Sequence, residues 1–241
     1  MQATLTSAAL VNLHRDAGAA TVDDTLLHLD ALENAGLEFA SLPELAAALK
    51  QSVARRRELH DVLGDRKSAL FQRARAAGKE VAVTPQGVDA VYVKGRAALD
   101  TALHLHALEL GMAHGALAVG RISAGPSHEE AHRWSNGFDA VLDIVPAVQE
   151  SVRRKNELAA FLASDACKLL ESEAKADAKG DGKQEVKAVP PVRVAVSADD
   201  ASKLYLQGKA GLDSMTHARA LNAAGKRFEK LSELTAAFAV S

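Results

Sequence analysis

One cysteine, few aromatic residues and no long apolar run set the first limits on this 241-residue chain. Cys167 is the single cysteine, which excludes an intrachain disulfide and a cysteine-based metal cluster. We expect it to be a small apolar residue on a helix. Aromatic residues make up 4% of the chain, and no stretch reaches the ~18 consecutive apolar residues that a membrane-spanning helix needs.

The chain also lacks a strong excess of either charge, and its first residues do not predict a secretory leader. Its net charge is −2, so nothing global attracts it to nucleic acid or to an acidic membrane. The N-terminal residues have neither a charged start nor a sustained apolar stretch, which a secretory signal would have. The expected location is therefore the cytoplasm by default, with export by a route that needs no cleaved signal left open.

Alanine is abundant, at about a fifth of the residues, and together with few aromatics this favours closely packed helices. The predicted fold is mainly α: a single elongated domain, 1–241, built as a bundle of long amphipathic helices. Thr21 is predicted to cap a helix over 22–34, and Ser41-Leu42-Pro43-Glu44 to start a helix that runs to Ala77.

The second half of the chain is predicted to hold the longest helix. It would run from Ser127 to Ala174, because its apolar residues recur at steps of three and four, with a kink at Pro146. A last helix starts at Ser197, and three glycines would break it into pieces. These are Gly208, Gly211 and Gly225.

Two segments have the composition of strands. Valines on either side of Thr84-Pro85-Gln86-Gly87 predict a β-hairpin over 79–95. A second valine-rich run lies at 192–197, so the two runs could form a small three-stranded sheet (about 79–94 and 192–197). Between the predicted helix and this run, residues 171–190 are polar and predicted to be a flexible loop.

One motif has the form His-Glu-x-x-His: His128-Glu129-Glu130-Ala131-His132. It resembles the signature of zinc metalloproteases, and the resemblance covers these five residues. It implies zinc bound by His128 and His132 with Glu129 as general base. Glu150 and Glu157 are the nearest downstream glutamates for a third ligand. The same stretch also fits a helix start, because Ser127 and Glu130 form a capping box, and the helix start is the interpretation we adopt.

A second group of histidines falls on one predicted helix. His104, His106 and His114 lie there with Glu109. A carboxylate-bridged metal site needs a Glu-x-x-His motif on each of two helices. In the sequence, only residues 129–132 have that spacing. We therefore expect core or boundary histidines and predict no metal ligands, no catalytic residues and no cofactor.

Basic clusters occur at 55–57, at 66–75 and at 153–155. Acidic residues lie close to each, so solvated ion pairs are expected and nucleic-acid binding is not. The predicted function is a non-enzymatic structural or interaction protein, a helical subunit of a larger assembly such as a phage particle or secretion apparatus. It would bind protein partners or itself, and no small-molecule substrate.

Three alternatives to this function stay open. The first is a membrane-active, pore-forming type of protein that exposes Ala97 to Val119 or Val81 to Val93 after a conformational change. The second is the zinc hydrolase, and the third is a nucleic-acid-binding subunit.

Overall fold

A computed structural model describes residues 6–113, 137–172 and 192–240. Helical residues make up 71% of this part of the chain, which confirms the mainly-α prediction. The chain divides into two compact units, Met1–Val152 and Arg153–Ser241, and each is described by itself below. The prediction of one elongated domain stays a prediction.

The first unit is built around one long helix. Helix α3 contacts α1, α2, α5 and α6, and its apolar face supplies Leu49, Leu59 and Leu63, each almost fully buried. The bounds of the helices that begin in this unit are α1 (Ser7–Ala17), α2 (Val22–Asn34), α3 (Leu42–Gly64), α4 (Gln72–Ala76), α5 (Pro85–Lys94), α6 (Thr101–Ala113) and α7 (Ile144–Ala163). Short 3₁₀ turns at Ala69–Phe71, Ala98–Asp100 and Val141–Asp143 precede α4, α6 and α7.

Helix starts follow the local chemistry that the sequence indicates. The hydroxyl of Thr21 accepts the backbone N–H of Asp24 and begins α2 at the predicted residue. Ser41 does the same for α3 by accepting the N–H of Glu44. The Glu44 carboxylate accepts the backbone N–H of Ala40. In the predicted capping box it would accept the N–H of Ser41, the next residue.

The predicted helix from Ser41 to Ala77 is wrong in its length. It ends at Gly64, where Asp65 adopts an extended conformation. The chain then turns, and Ser68 caps the 3₁₀ turn that leads into α4. The apolar periodicity continues beyond the end of α3, because Leu70 and Ala74 are also buried. The periodicity therefore does not show where the helix ends.

The predicted hairpin over 79–95 is also wrong, because α5 occupies most of it. The hydroxyl of Thr84 accepts the N–H of Gly87, and Pro85 is the first residue of the helix. Proline fits this position because its missing N–H would have no helical partner there. The sequence that looked like a turn between strands is a helix start, and residues 79–84 form no strand.

The predicted helix from Ser127 to Ala174 is broken in the described part of the chain. Gly137 has φ +87°, and α7 begins at Ile144 and ends at Ala163. Pro146 therefore lies in the first turn of α7, where proline is tolerated, and no kink is needed. Residues 127–136 lie outside the described residues.

The second unit contains the end of α7, a small sheet and three short helices. Strands β1 (Glu171–Ser172) and β2 (Val192–Arg193) pair antiparallel. The strand predicted at 192–197 is thus present in a shorter form, and its partner comes from the start of the segment predicted to be a loop. Residues 173–191 lie outside the described residues.

The predicted breaks of the last helix are confirmed. Helices α8 (Ala198–Gln207), α9 (Ser214–Ala223) and α10 (Leu231–Val240) replace it, with the three glycines between them. Ser197 caps α8 in a full capping box with Asp200. Leu158, Leu169 and Tyr205 are buried in this unit.

Candidate functional site

The first unit contains a cavity of about 390 Å³ between α2, α3 and α5. The turn from α1 to α2 borders one side, with Gly18, Ala19 and Ala20. The first turn of α5 borders another side, with Pro85. The cavity therefore lies beside the N-terminal ends of α2 and α5, where backbone N–H groups give a partial positive charge.

A buried histidine forms part of the cavity wall. His28 on α2 is 2% exposed and lines the cavity. Its Nδ1 lies 2.8 Å from the hydroxyl of Ser52 on α3, and its ring meets the ring of Tyr92 edge to face at 5.9 Å.

Ser52 joins this histidine to a buried tyrosine on α5. The Ser52 hydroxyl lies 2.7 Å from the Tyr92 hydroxyl, which also lies 3.2 Å from the Ser52 carbonyl oxygen. The phenol O–H donates to that carbonyl oxygen, and the Ser52 hydroxyl contacts both side chains.

Burial sets the protonation states of this network. It lowers the pKa of His28 below 6.5, with Arg56 acting in the same direction, whereas Asp24 and Asp89 oppose the shift. Burial also raises the pKa of Tyr92 to about 12. His28 and Tyr92 are therefore both uncharged near pH 7.

Two arginines of α3 border the cavity beside His28. Arg56 donates from Nε to Asp89 of α5 over 2.5 Å, and this bond raises its pKa. The pair fixes the guanidinium and leaves its two terminal nitrogens without a described hydrogen bond. Arg57 is exposed and has no ion-pair partner among the described residues.

The first half of α2 has an inverted pattern of burial. It buries Thr25 and His28 and exposes Val22 and Leu26, at 63% and 53%, whereas the second half buries Ala31 and Leu32. Val11, on the neighbouring α1, is 64% exposed. Buried polar side chains and exposed apolar patches are the informative exceptions to ordinary burial. The first half of α2 has two buried polar side chains next to two exposed apolar ones.

The motif that resembles a zinc protease site lies outside the described residues. The structure accordingly gives no position for His128, Glu129 or His132. Glu157, one of its proposed third ligands, forms an ion pair with Arg153 on α7. Glu150, the other, also lies on α7.

His104 and His106 on α6 have different partners and do not form a common group. His104 is buried, with Nδ1 2.8 Å from the hydroxyl of Ser151. His106 lies on another face, 3.6 Å from Glu109, whose carboxylate accepts a hydrogen bond from Ser68. That contact with Glu109 raises the pKa of His106. His114 lies outside the described residues, within which no group of three or more potential ligands could hold a metal ion.

Several arginines of the basic clusters form the predicted ion pairs. Arg55 pairs with Glu58 over 2.6 Å, and Arg73 lies 3.9 Å from Asp139. Arg75 donates to the carbonyl oxygens of Arg66 and Ser68.

Two further predictions concern apolar residues. Cys167 is buried, and the prediction that it lies on a helix is wrong, because it follows the turn after α7. The described part of the Ala97 to Val119 segment buries most of its apolar side chains in α6 and the turn before it. None of the described helices is long and apolar enough to cross a membrane.

Sequence reasoning missed the cavity and its polar network. Ser52 and Tyr92 are 40 residues apart, and no local pattern connects them. One signal was present: His28 falls on the buried face of the predicted helix over 22–34. No family model, curated protein or solved structure matches the chain.

Proposed function

We propose that this chain is a non-enzymatic interaction protein, a helical subunit of a larger assembly that docks through the hairpin of α1 and α2. The single observation that carries the proposal is the inverted burial in the first half of α2. Val22 and Leu26 are one helical turn apart, so their side chains lie on one face of α2. That face is exposed while Thr25 and His28 are turned inward.

Apolar side chains in contact with water are unfavourable, and burying them against a partner surface would lower the free energy. At about 25 cal/mol per Å² of apolar surface, a contact that covers this face contributes favourably without any new polar pairing. Anchors of this kind at i and i+4 are typical of helices that dock into an apolar groove. The remaining hairpin residues would then serve as the polar rim of the contact.

The test measures the mass of the protein in solution by light scattering over a wide concentration range, together with any protein that co-purifies. The double variant Val22→Glu/Leu26→Glu should lower the mass or lose the partner, because glutamate would have to be buried in the contact. Val240→Glu is the matched control: this valine is 87% exposed and belongs to the second unit.

The expected result is loss of association in the hairpin variant and retention in the control. Both variants change exposed residues, so circular dichroism should show unchanged helix content. A wild-type protein that is monomeric at every concentration and purifies without a partner would contradict the proposal. Equal effects of the two variants would show that the contact lies elsewhere.

A further inference from the structure

We propose that mild acid releases the first half of α2, residues 22–28, from α3 and α5 when His28 takes up a proton. The exposed face of Val22 and Leu26 lies on this half of the helix, so its release would regulate docking. That regulatory meaning rests on the proposed function. The release itself is a property of the chain alone and is tested without a partner.

The buried side chains in the first half of α2 are both polar. Thr25 is one of them, and its hydroxyl lies 2.7 Å from Nδ1 of His14 on α1. His28 is the other, and its Nδ1 lies 2.8 Å from the hydroxyl of Ser52 on α3. The second half of the helix buries apolar side chains instead. Weakening one polar contact therefore affects the first half of α2 more than the second.

His28 lies where α2 meets both α3 and α5. Its Nδ1 contacts Ser52 of α3, and its ring meets the ring of Tyr92 on α5 edge to face. At 2% exposure, the ring has almost no contact with bulk water. A cationic ring in this position would lose most of its hydration, which is unfavourable unless opposite charge compensates for the loss.

The charges around His28 do not compensate for that loss. Titratable and charged side chains near the ring come from all three helices: Asp24 of α2, Arg56, Arg57 and His60 of α3, and Asp89 and Tyr92 of α5. Asp24 and Asp89 favour a cationic ring, whereas Arg56 opposes it. The Asp89 carboxylate is already paired with Arg56. Burial is the largest effect, and the pKa of His28 is lowered from 6.5.

Protonation therefore favours a conformation in which the ring of His28 reaches water. The buried ring binds its proton at a lower pH than a ring in water, so its contribution to stability is full above pH 6.5 and is lost as the pH falls below it. The opening should stay local, because α3 keeps the buried side chains of Leu49, Leu59 and Leu63. Segments with few buried apolar side chains open at the lowest free energy.

The test is hydrogen exchange of the full chain at pH 7.5 and pH 5.0, followed by mass spectrometry. Each measured rate is divided by the intrinsic exchange rate at the same pH, which gives a protection factor. Peptides that cover residues 22–28 should lose protection by about threefold or more between the two pH values. Peptides of α3 should keep their protection.

Two histidine variants assign the effect to one ring. His28→Gln removes the titrating group, so the protection of residues 22–28 should no longer depend on pH, whatever the overall stability of the variant. His28→Asn is a second neutral replacement with the same expected result. His60→Gln is the matched control, because His60 is exposed and lines the same cavity from α3; it should keep the wild-type dependence on pH.

Three results would overturn the proposal. The first is protection of residues 22–28 that is equal at the two pH values in the wild type. The second is a loss in both His28 variants as large as in the wild type, which would assign the effect to another group. The third is an equal loss in α3, which would mean that the first unit unfolds as a whole. Failure of the docking face would appear separately, in the light-scattering comparison of Val22→Glu/Leu26→Glu with the wild type.

Discussion

Replacing Ser52 by alanine is the sharpest test of the buried network, because this one hydroxyl serves both His28 and Tyr92. The side chain is fully buried and lies in the middle of α3. Its removal leaves Nδ1 of His28 without a partner among the described contacts. Tyr92 keeps its 3.2 Å contact to the Ser52 carbonyl oxygen, so the tyrosine loses less than the histidine.

The expected loss follows from these contacts. A buried polar atom left without a partner costs about 1–3 kcal/mol, and the small void left by the hydroxyl adds to this. Alanine is a better helix former than serine and recovers roughly 0.5 kcal/mol. The free energy of unfolding of the first unit should therefore fall by about 2 kcal/mol.

The assay is urea unfolding followed by circular dichroism, with hydrogen exchange of α3 peptides to assign the transition to the first unit. The control is Ser202→Ala on α8, whose hydroxyl bonds to the Ala198 carbonyl oxygen and to nothing else among the described residues; it should leave α3 unchanged. An α3 that is as stable in Ser52→Ala as in the wild type would refute the network.

Three further predictions follow from buried or constrained residues. In an NMR titration His28 should take up its proton below pH 6.5, since burial lowers its pKa, and His106 should do so above pH 6.5, since Glu109 raises its pKa. The lowered pKa of His28 makes the folded state less stable as the pH falls below 6.5. The raised pKa of His106 stabilises the folded state at low pH, and this contribution is lost as the pH rises through its folded pKa. Gly137→Ala should lower the thermal midpoint by at least a few degrees, because φ is +87° and the new Cβ would lie 2.8 Å from a backbone carbonyl oxygen. Leu59→Ala should cost about 2–5 kcal/mol in urea unfolding, since this side chain is fully buried. A reversed histidine order, an unchanged midpoint or a loss below 1 kcal/mol would contradict the respective prediction.

The sequence predicted those parts of the fold that are decided within a few residues. Thr21, Ser41 and Ser197 cap helices at the predicted positions, because a hydroxyl reaches an N–H three residues ahead. The helix breaks at the glycines after α8 and α9 also depend on the local sequence.

Errors arose where one local pattern fits two structures. Thr84-Pro85-Gln86-Gly87 has the composition of a turn and also the cap and first turn of a helix. Packing of Val88, Val91 and Tyr92 into the core of the first unit selects the helix, and that packing depends on α2 and α3, which are distant in the sequence. The cavity was beyond prediction for the same reason, since its walls come from three helices.

The end of α7 is completed by a residue that follows it by some thirty positions. Arg193 donates to the carbonyl oxygens of Leu162 and Ser164 and lies 3.1 Å from the Asp165 carboxylate. Backbone carbonyls at a helix end lack partners within the helix itself. During synthesis, therefore, the last turn of α7 leaves the ribosome well before the side chain that satisfies it. Until β2 follows, this turn should fray, and the helix end and the strand should become ordered in one step.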